Sequence, residues 1–270
     1  MLTPNFFNTV FVFPILNLLM VFYKFFQWIK IPGDFGFAII GLTIVIRLIL
    51  HPFFKQQLET AKKMQEIKPH LDRLSQKHKS NPKTLQQEQL KLYQQVGLNP
   101  ASGCLFMIIQ IPIFIALYQT LSLLLVESGV VKTISEINKV LYSPFLKITT
   151  LNPWFFGINL AITPNKGGQW YYYLIPLVTA VLQYLQTQVT MPSSTPASKP
   201  NSTSQVGKDK KEDSSGDFQK AMNMQMKYFF PLMIGWFSFN LPVGLALYWN
   251  IFSLFSIFQY KKTQNLKLKT

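Results

Sequence analysis

Five runs of apolar residues, roughly 36–54, 101–126, 171–190, 222–239 and 243–260, stand out along the chain. Each is close to the length that a bilayer demands of a helix, and each is bounded by polar or turn-forming residues. They predict an all-α polytopic membrane protein with five transmembrane helices. The last two are joined by "NLPVG", which predicts a hairpin with short arms and a locally thinned bilayer. A sixth apolar stretch, Phe6 to Tyr23, is interrupted by Asn8, Pro14 and Asn17 and followed by Lys24 and Lys30. It is expected to be an N-terminal interfacial helix within an outer-side segment 1–35. No Lys or Arg precedes it and no A-x-A site follows, which argues against a signal peptide. No internal repeat is visible, which weakens a transporter built from inverted halves.

The pattern changes between the first two runs. In 55–97, Leu58, Ala61, Met64, Ile67, Leu71 and Leu74 recur three or four residues apart among charged positions, the spacing of an amphipathic helix. "SNPKT" interrupts it at 80–84, with Asn81 placed to cap and Pro82 to open a second helix that carries Leu85, Leu92 and Val96. The expected result is a helical hairpin, its first arm bent at Pro69. From periodicity alone, a solvated spacer between two spans fits equally well. Residues 98–126 are assigned to the second transmembrane helix. Residues 191–221, rich in Ser, Pro and Lys, read as a disordered loop. The outer loop 127–170 carries Trp154, Phe155, Phe156 and Trp170, as expected at headgroup level.

Charge adds orientation. The formal net charge is +15, and the segments 55–97, 190–228 and 261–270 hold nine, six and four Lys or Arg, against six in 1–35 and 127–170 together. These three segments are therefore expected to be cytoplasmic, with the N-terminus outside and a basic C-terminal tail inside. That bias accounts for most of the charge; specific nucleic-acid binding is not expected, although basic loops could touch rRNA or anionic lipid. The single Cys104 excludes an internal disulfide, and three scattered His show no zinc spacing. With no HExxH, Walker A or GxSxG, the chain reads as no enzyme, with no metal or cofactor.

The candidate chemistry lies in "GLTIVIRLILHP", residues 41–52. All 11 Asp and Glu fall outside the five runs, so Arg47 has no carboxylate at membrane depth. A mid-helix Arg costs about 2.5–3.5 kcal/mol on insertion scales, so a wet cavity in the bundle is expected around it. Thr43, Arg47 and His51 share one helical face, and Thr179, Gln183, Gln186 and Thr190 form a similar stripe on the third span. Gln110, Trp249, Asn250 and Ser253 are further candidates. Singly, each Gln or Thr reads as an interhelical hydrogen bonder. Around an unpaired Arg they suggest a positive groove that receives an acidic or polar group, and the lack of intramembrane acids argues against a proton relay.

Three stretches carry a resemblance: "FGFAIIGLTIVIRLILHP" at 35–52, "VGLNPASGCLFMIIQIPIFIALYQTL" at 96–121 and "LPVGLALYWN" at 241–250. Together they resemble the YidC/Oxa/Albino family of membrane protein insertases, over nearly all of 35–260. The resemblance implies five spans around a hydrophilic groove, closed outward and open to the cytoplasm and lipid. It places Arg47 in that groove, Thr43 one turn earlier, Gln186 and Gln183 on the third span, and Tyr248 and Trp249 on the last. It also implies an insertase and folding chaperone for nascent membrane proteins, with the ribosome, the signal recognition particle receptor, a Sec-type translocon and membrane lipids as candidate partners. The expected site is a bacterial plasma membrane, with the thylakoid membrane as alternative. A small-solute transporter or channel and a non-translocating assembly factor stay open as other readings.

Overall fold

The structure is a computed structural model that describes residues 2–78, 81–98, 101–125, 130–190 and 225–267. The loop expected to be disordered, 191–221, lies outside the described residues. The described part is mostly helical. A π turn, Asn8–Val12, leads into α1 (Phe13–Ile29), and α2 follows over Asp34–Ile49. Next come α3 (His51–Lys77), α4 (Pro82–Gln95), α5 (Ala101–Leu124) and α6 (Val130–Val140). A two-stranded hairpin pairs β1 (Trp154–Phe155) with β2 (Ile158–Asn159), and α7 covers Leu174–Thr190. A second π turn, Gln225–Phe229, opens α8 (Phe230–Asn240), and α9 runs over Val243–Lys267.

The segment 6–23 differs from its expected interruption. Pro14 stands in the first turn of α1, where a missing N–H costs nothing, so the apolar helix continues unbroken. Asn8–Ile29 is long and apolar enough to cross a membrane, as are Val243–Lys262 and, if counted as one bent span, α2 with α3. Asn17 and Tyr23 nevertheless both bond to residues 140–152. The Asn17 amide donates to the Val140 carbonyl at 3.2 Å and its oxygen accepts from the Tyr142 N–H at 2.7 Å, while the Tyr23 hydroxyl meets the Asn152 N–H at 3.5 Å. Two ties six residues apart lay α1 along that segment. The Asn17→Leu variant keeps the volume but removes the hydrogen bonds to the Val140 carbonyl and the Tyr142 N–H, each worth about 0.5–1.5 kcal/mol. A lowered thermal midpoint in detergent and faster proteolysis near residue 142 are expected; an unchanged midpoint would show the tie to be dispensable.

The first span also ends earlier than expected. Instead of running through residue 54, α2 stops at Ile49 and turns by 65° into α3 at Leu50. Pro52 gives the reason: it has no N–H to donate back to the Leu48 carbonyl and its ring crowds that carbonyl, so it is well placed only in the first turn of a new helix. The helical arm of 55–97 thus starts at His51, and it passes through Pro69 without ending. The second arm begins as its sequence suggests, with the Asn81 side chain accepting from the Thr84 N–H at 3.2 Å. Leu58, Ile67 and Leu85 are buried, and α3 packs on both α4 and α5.

Of the two terminal helices only one is short. The π turn plus α8 covers about 24 Å at 1.5 Å per residue, whereas α9 continues through the first residues of the expected tail. Residues 130–170 form an ordered cap rather than a bare loop. Its β-hairpin turns at Phe156 and Gly157, both at positive φ, as a two-residue turn of matching twist requires. Phe155 rests where a side chain on Gly36 would stand, 2.1 Å from its ring, so only glycine lets α2 approach it. The Val243 and Gly244 N–H groups donate to the Ile162 and Leu160 carbonyls, tying the start of α9 to the same cap. The apolar core beneath it joins α1, α2 and α5 through Leu16, Met20, Phe35, Ile39, Leu117 and Leu121.

Candidate functional site

Polar residues on these helices turn inward and large apolar ones turn out. On α7, Leu177, Val178, Val181 and Leu185 are exposed, while Thr179, Gln183 and Thr187 are buried. On α8, Leu232, Trp236 and Phe237 face out and Ser238 faces in, its hydroxyl 3.4 Å from that of Thr179. This inversion of a water-soluble fold is what lipid as solvent selects, and Gly235 against Ala180 lets α7 and α8 pack closely.

Arg47 is the largest of the fully buried side chains, 1% exposed. Its Nη2 donates to the Phe252 carbonyl at 3.0 Å. Its guanidinium carbon lies 3.6 Å from the centre of the Phe252 ring and 4.7 Å from that of Phe54. No described carboxylate pairs with it; the ion pair found among the described residues, Lys91 with Glu88, is on α4. The expected open wet cavity is replaced here by an aromatic sleeve. A desolvated cation–π contact contributes about 2 kcal/mol and a charged hydrogen bond about 1.5–3, enough to offset the insertion cost of a mid-membrane Arg. The Nε still has no hydrogen-bond partner among the described residues.

The other candidates meet in pairs along α9. Gln110 donates to the Tyr248 hydroxyl at 3.3 Å, and the Trp249 indole N–H donates to Gln183 at 2.9 Å while its ring meets Phe114 edge-on. Thr43, fully buried, donates to the Ile39 carbonyl of its own helix. His51 stands beyond the bend, its Nδ1 3.2 Å from the Gln259 amide, so it does not continue the Thr43 and Arg47 face. On α7 the buried stripe is Thr179, Gln183 and Thr187; Gln186 stands beside it, half-buried. The Gln110 Oε1, Thr120 Oγ1, Asn250 Oδ1 and Ser253 Oγ are all buried without a hydrogen-bond partner among the described residues. Sequence reasoning missed Phe54, Thr120, Phe252 and Ser256. Ser256 alone had a signal, a third polar position after Asn250 and Ser253 at helical spacing, and it donates to the carbonyl that Arg47 also uses.

A helical protein that turns large apolar side chains outward and shelters, between its helices, a cation with no described carboxylate partner has the build of an integral membrane protein. The chain belongs to the 60Kd inner membrane protein family, whose model matches residues 24–269. It is 30% identical over 270 residues to "Membrane protein insertase YidC" of Oceanobacillus iheyensis, which covers 96% of this chain and 84% of that protein. It is 30% identical over 232 residues to "Inner membrane ALBINO3-like protein 1, chloroplastic" of Chlamydomonas reinhardtii, covering 82% of this chain and 42% of the relative. A third match, "Membrane protein insertase YidC" of Caulobacter vibrioides, is 46% identical over 109 residues, 40% of this chain and 17% of that protein. The chain thus spans most of the Oceanobacillus relative but less than half of the algal one.

Proposed function

We propose that the protein is a membrane protein insertase and folding chaperone. Hydrophilic segments of nascent membrane proteins pass along the seam around Arg47, and apolar segments leave sideways into lipid. One observation supports this most: a buried guanidinium without a described carboxylate partner, in a bundle where the buried Gln110 Oε1, Asn250 Oδ1 and Ser253 Oγ also have no hydrogen-bond partner among the described residues. Buried polar atoms are matched by water or by another polar chain, and a passing hydrophilic segment offers both. The name of the Oceanobacillus relative points the same way. No covalent step is required.

In this reading Arg47, Thr43, Gln110, Gln183, Gln186, Trp249 and Asn250 line a groove among five spans, open to the cytoplasm and lipid and capped outside by 127–170. Phe54 covers the guanidinium and has to swing aside before an acidic group reaches it; the bend at Leu50 allows α3 to carry it. The short helix α8 lowers the crossing distance. Capture by the charge is weak, because a tightly held tail would not be released. The N-terminus is outside and the C-terminus cytoplasmic, in a bacterial plasma membrane. Nascent membrane proteins are the substrates, and the ribosome, the signal recognition particle receptor and a Sec-type translocon are partners through the basic cytoplasmic segments.

A photoreactive residue at Gln186 should crosslink to the hydrophilic tail of a ribosome-bound nascent membrane protein. The same probe at Leu177, 59% exposed on the outward face of α7, should reach lipid or the apolar segment. Tail adducts at Leu177 and none at Gln186 would sink the groove.

A further inference from the structure

The outer cap carries a second basic feature that the groove does not use. Asn138 on α6 takes both backbone groups of Ile148: its amide donates to the carbonyl at 2.8 Å and its oxygen accepts from the N–H at 3.0 Å. This double clasp folds residues 141–149 back along the end of α6. It brings Lys139 and Lys147 to one hollow of about 710 Å3, which Ser135 and Thr149 also line and no Asp or Glu lines. Glu136 is on the same helix but is not part of that lining. Neither lysine is ion-paired with a described carboxylate. Ile137, Leu146 and Ile148 are buried, so the clasp is anchored in packed core.

Beside the hollow, on the loop between the two lysines, Tyr142 and Phe145 are 67% and 75% exposed. A site for a small free anion has no use for two aromatic rings held out in solvent. Rings of this kind sit at headgroup level in a membrane, where ammonium groups meet lipid phosphate.

We infer that this hollow binds the phosphate of an anionic phospholipid in the outer leaflet, with Lys139 and Lys147 on the phosphate and Tyr142 and Phe145 among the headgroups. The inference rests on the proposed outer placement of 127–170. It gives the cap a lipid anchor that holds α6 and the loop at the membrane surface, independent of any substrate in the groove.

The full chain is reconstituted in vesicles of equal dioleoyl-phosphatidylglycerol and dioleoyl-phosphatidylcholine, and the lipid retained on release is read by native mass spectrometry. Wild type should retain phosphatidylglycerol selectively, and the Lys139→Gln/Lys147→Gln pair should lose about tenfold or more of that preference. Arginine at both positions should restore it. Lys166→Gln, an exposed lysine elsewhere on the cap, should behave as wild type. Phe145→Ser should weaken retention with both lysines intact. Equal retention by wild type and the double glutamine variant overturns the site. Full displacement by millimolar inorganic phosphate makes it a free-anion site and overturns the lipid assignment. Loss of retention on adding an acidic peptide, with no selectivity between the two lipids, makes it a protein contact instead. Side is read separately: Ser135→Cys in a Cys104→Ser background should react only with outer-side reagents, and labelling from the cytoplasmic side overturns the outer-leaflet placement whatever the lipid result.

Discussion

Insertion of a substrate with an acidic translocated tail should fall roughly a hundredfold in the Arg47→Ala variant. A unit charge about 5 Å from a carboxylate at an effective dielectric near 20 is worth about 3 kcal/mol, and the variant removes that attraction. The fold should survive, because the Phe252 carbonyl keeps the Ser256 hydroxyl and the two phenyl rings can close on the space left. Lysine at 47 should preserve much of the activity. It can donate to the same carbonyl and keeps the sign of the charge, although it loses the planar stacking on Phe252. A substrate whose acidic tail residues are made neutral should depend far less on Arg47, since the Gln110, Gln183 and Asn250 groups persist. The measurement is protease protection of the tail in reconstituted vesicles, with protein-free, wild-type and variant vesicles each compared for charged and neutral tails. Equal losses for both tails would mean that Arg47 serves the packing of α2 on α9 and not capture.

Removing residues 62–95 behind a flexible linker should abolish insertion while leaving the membrane helices folded. The cut spares Leu58 and Phe54, which are buried where α3 enters the bundle, and removes the arms beyond. Those arms face each other across a hollow lined by His70, Arg73 and Lys77 from α3 and Lys91 from α4, while Leu90 stays exposed. Lys91 donates to Glu88 at 2.9 Å and holds its carboxyl below the ordinary carboxylate range, so the pair stays ionised as pH falls slightly into the acid region. An arm with this much cation and a partly uncovered apolar stripe fits a guide for substrate or targeting machinery better than a spacer. Insertion at the normal rate by the deleted protein, with its thermal midpoint retained, would make it a spacer after all. Packing of α3 on α5 anchors the base of the hairpin against the bundle.

How much of this was legible beforehand depends on the range of each interaction. The Asn81 cap and the Pro82 start of α4 span three residues, and local chemistry suffices to read them. The expected segments 101–126 and 171–190 were read from apolar length, and α5 and α7 lie within them. Pro14 and Pro52 show the limit. Both are prolines in apolar surroundings, yet one opens a helix that simply continues a π turn and the other marks a 65° change of direction. A proline's own preference is the same in the two places; what differs is the packing on either side.

The sequence by itself determined that Arg47 stands in an apolar run and that none of the five apolar runs holds an acid, because the positions of all 11 Asp and Glu can be read from the chain. It also determined which residues share a helical face, since that needs only the 3.6-residue period. Only the tertiary structure decided what those faces meet: Phe252, 205 residues away, beneath the Arg47 guanidinium, Trp249 on Gln183, Tyr248 on Gln110, and the segment 142–148 clasped by Asn17 and Asn138. Periodicity records the direction of a side chain about its own axis and carries no information on the neighbouring axis. Helix packing supplies that, through the fit of side-chain ridges and small-residue contacts such as Gly235 on Ala180, and it alone placed the charge inside an aromatic sleeve.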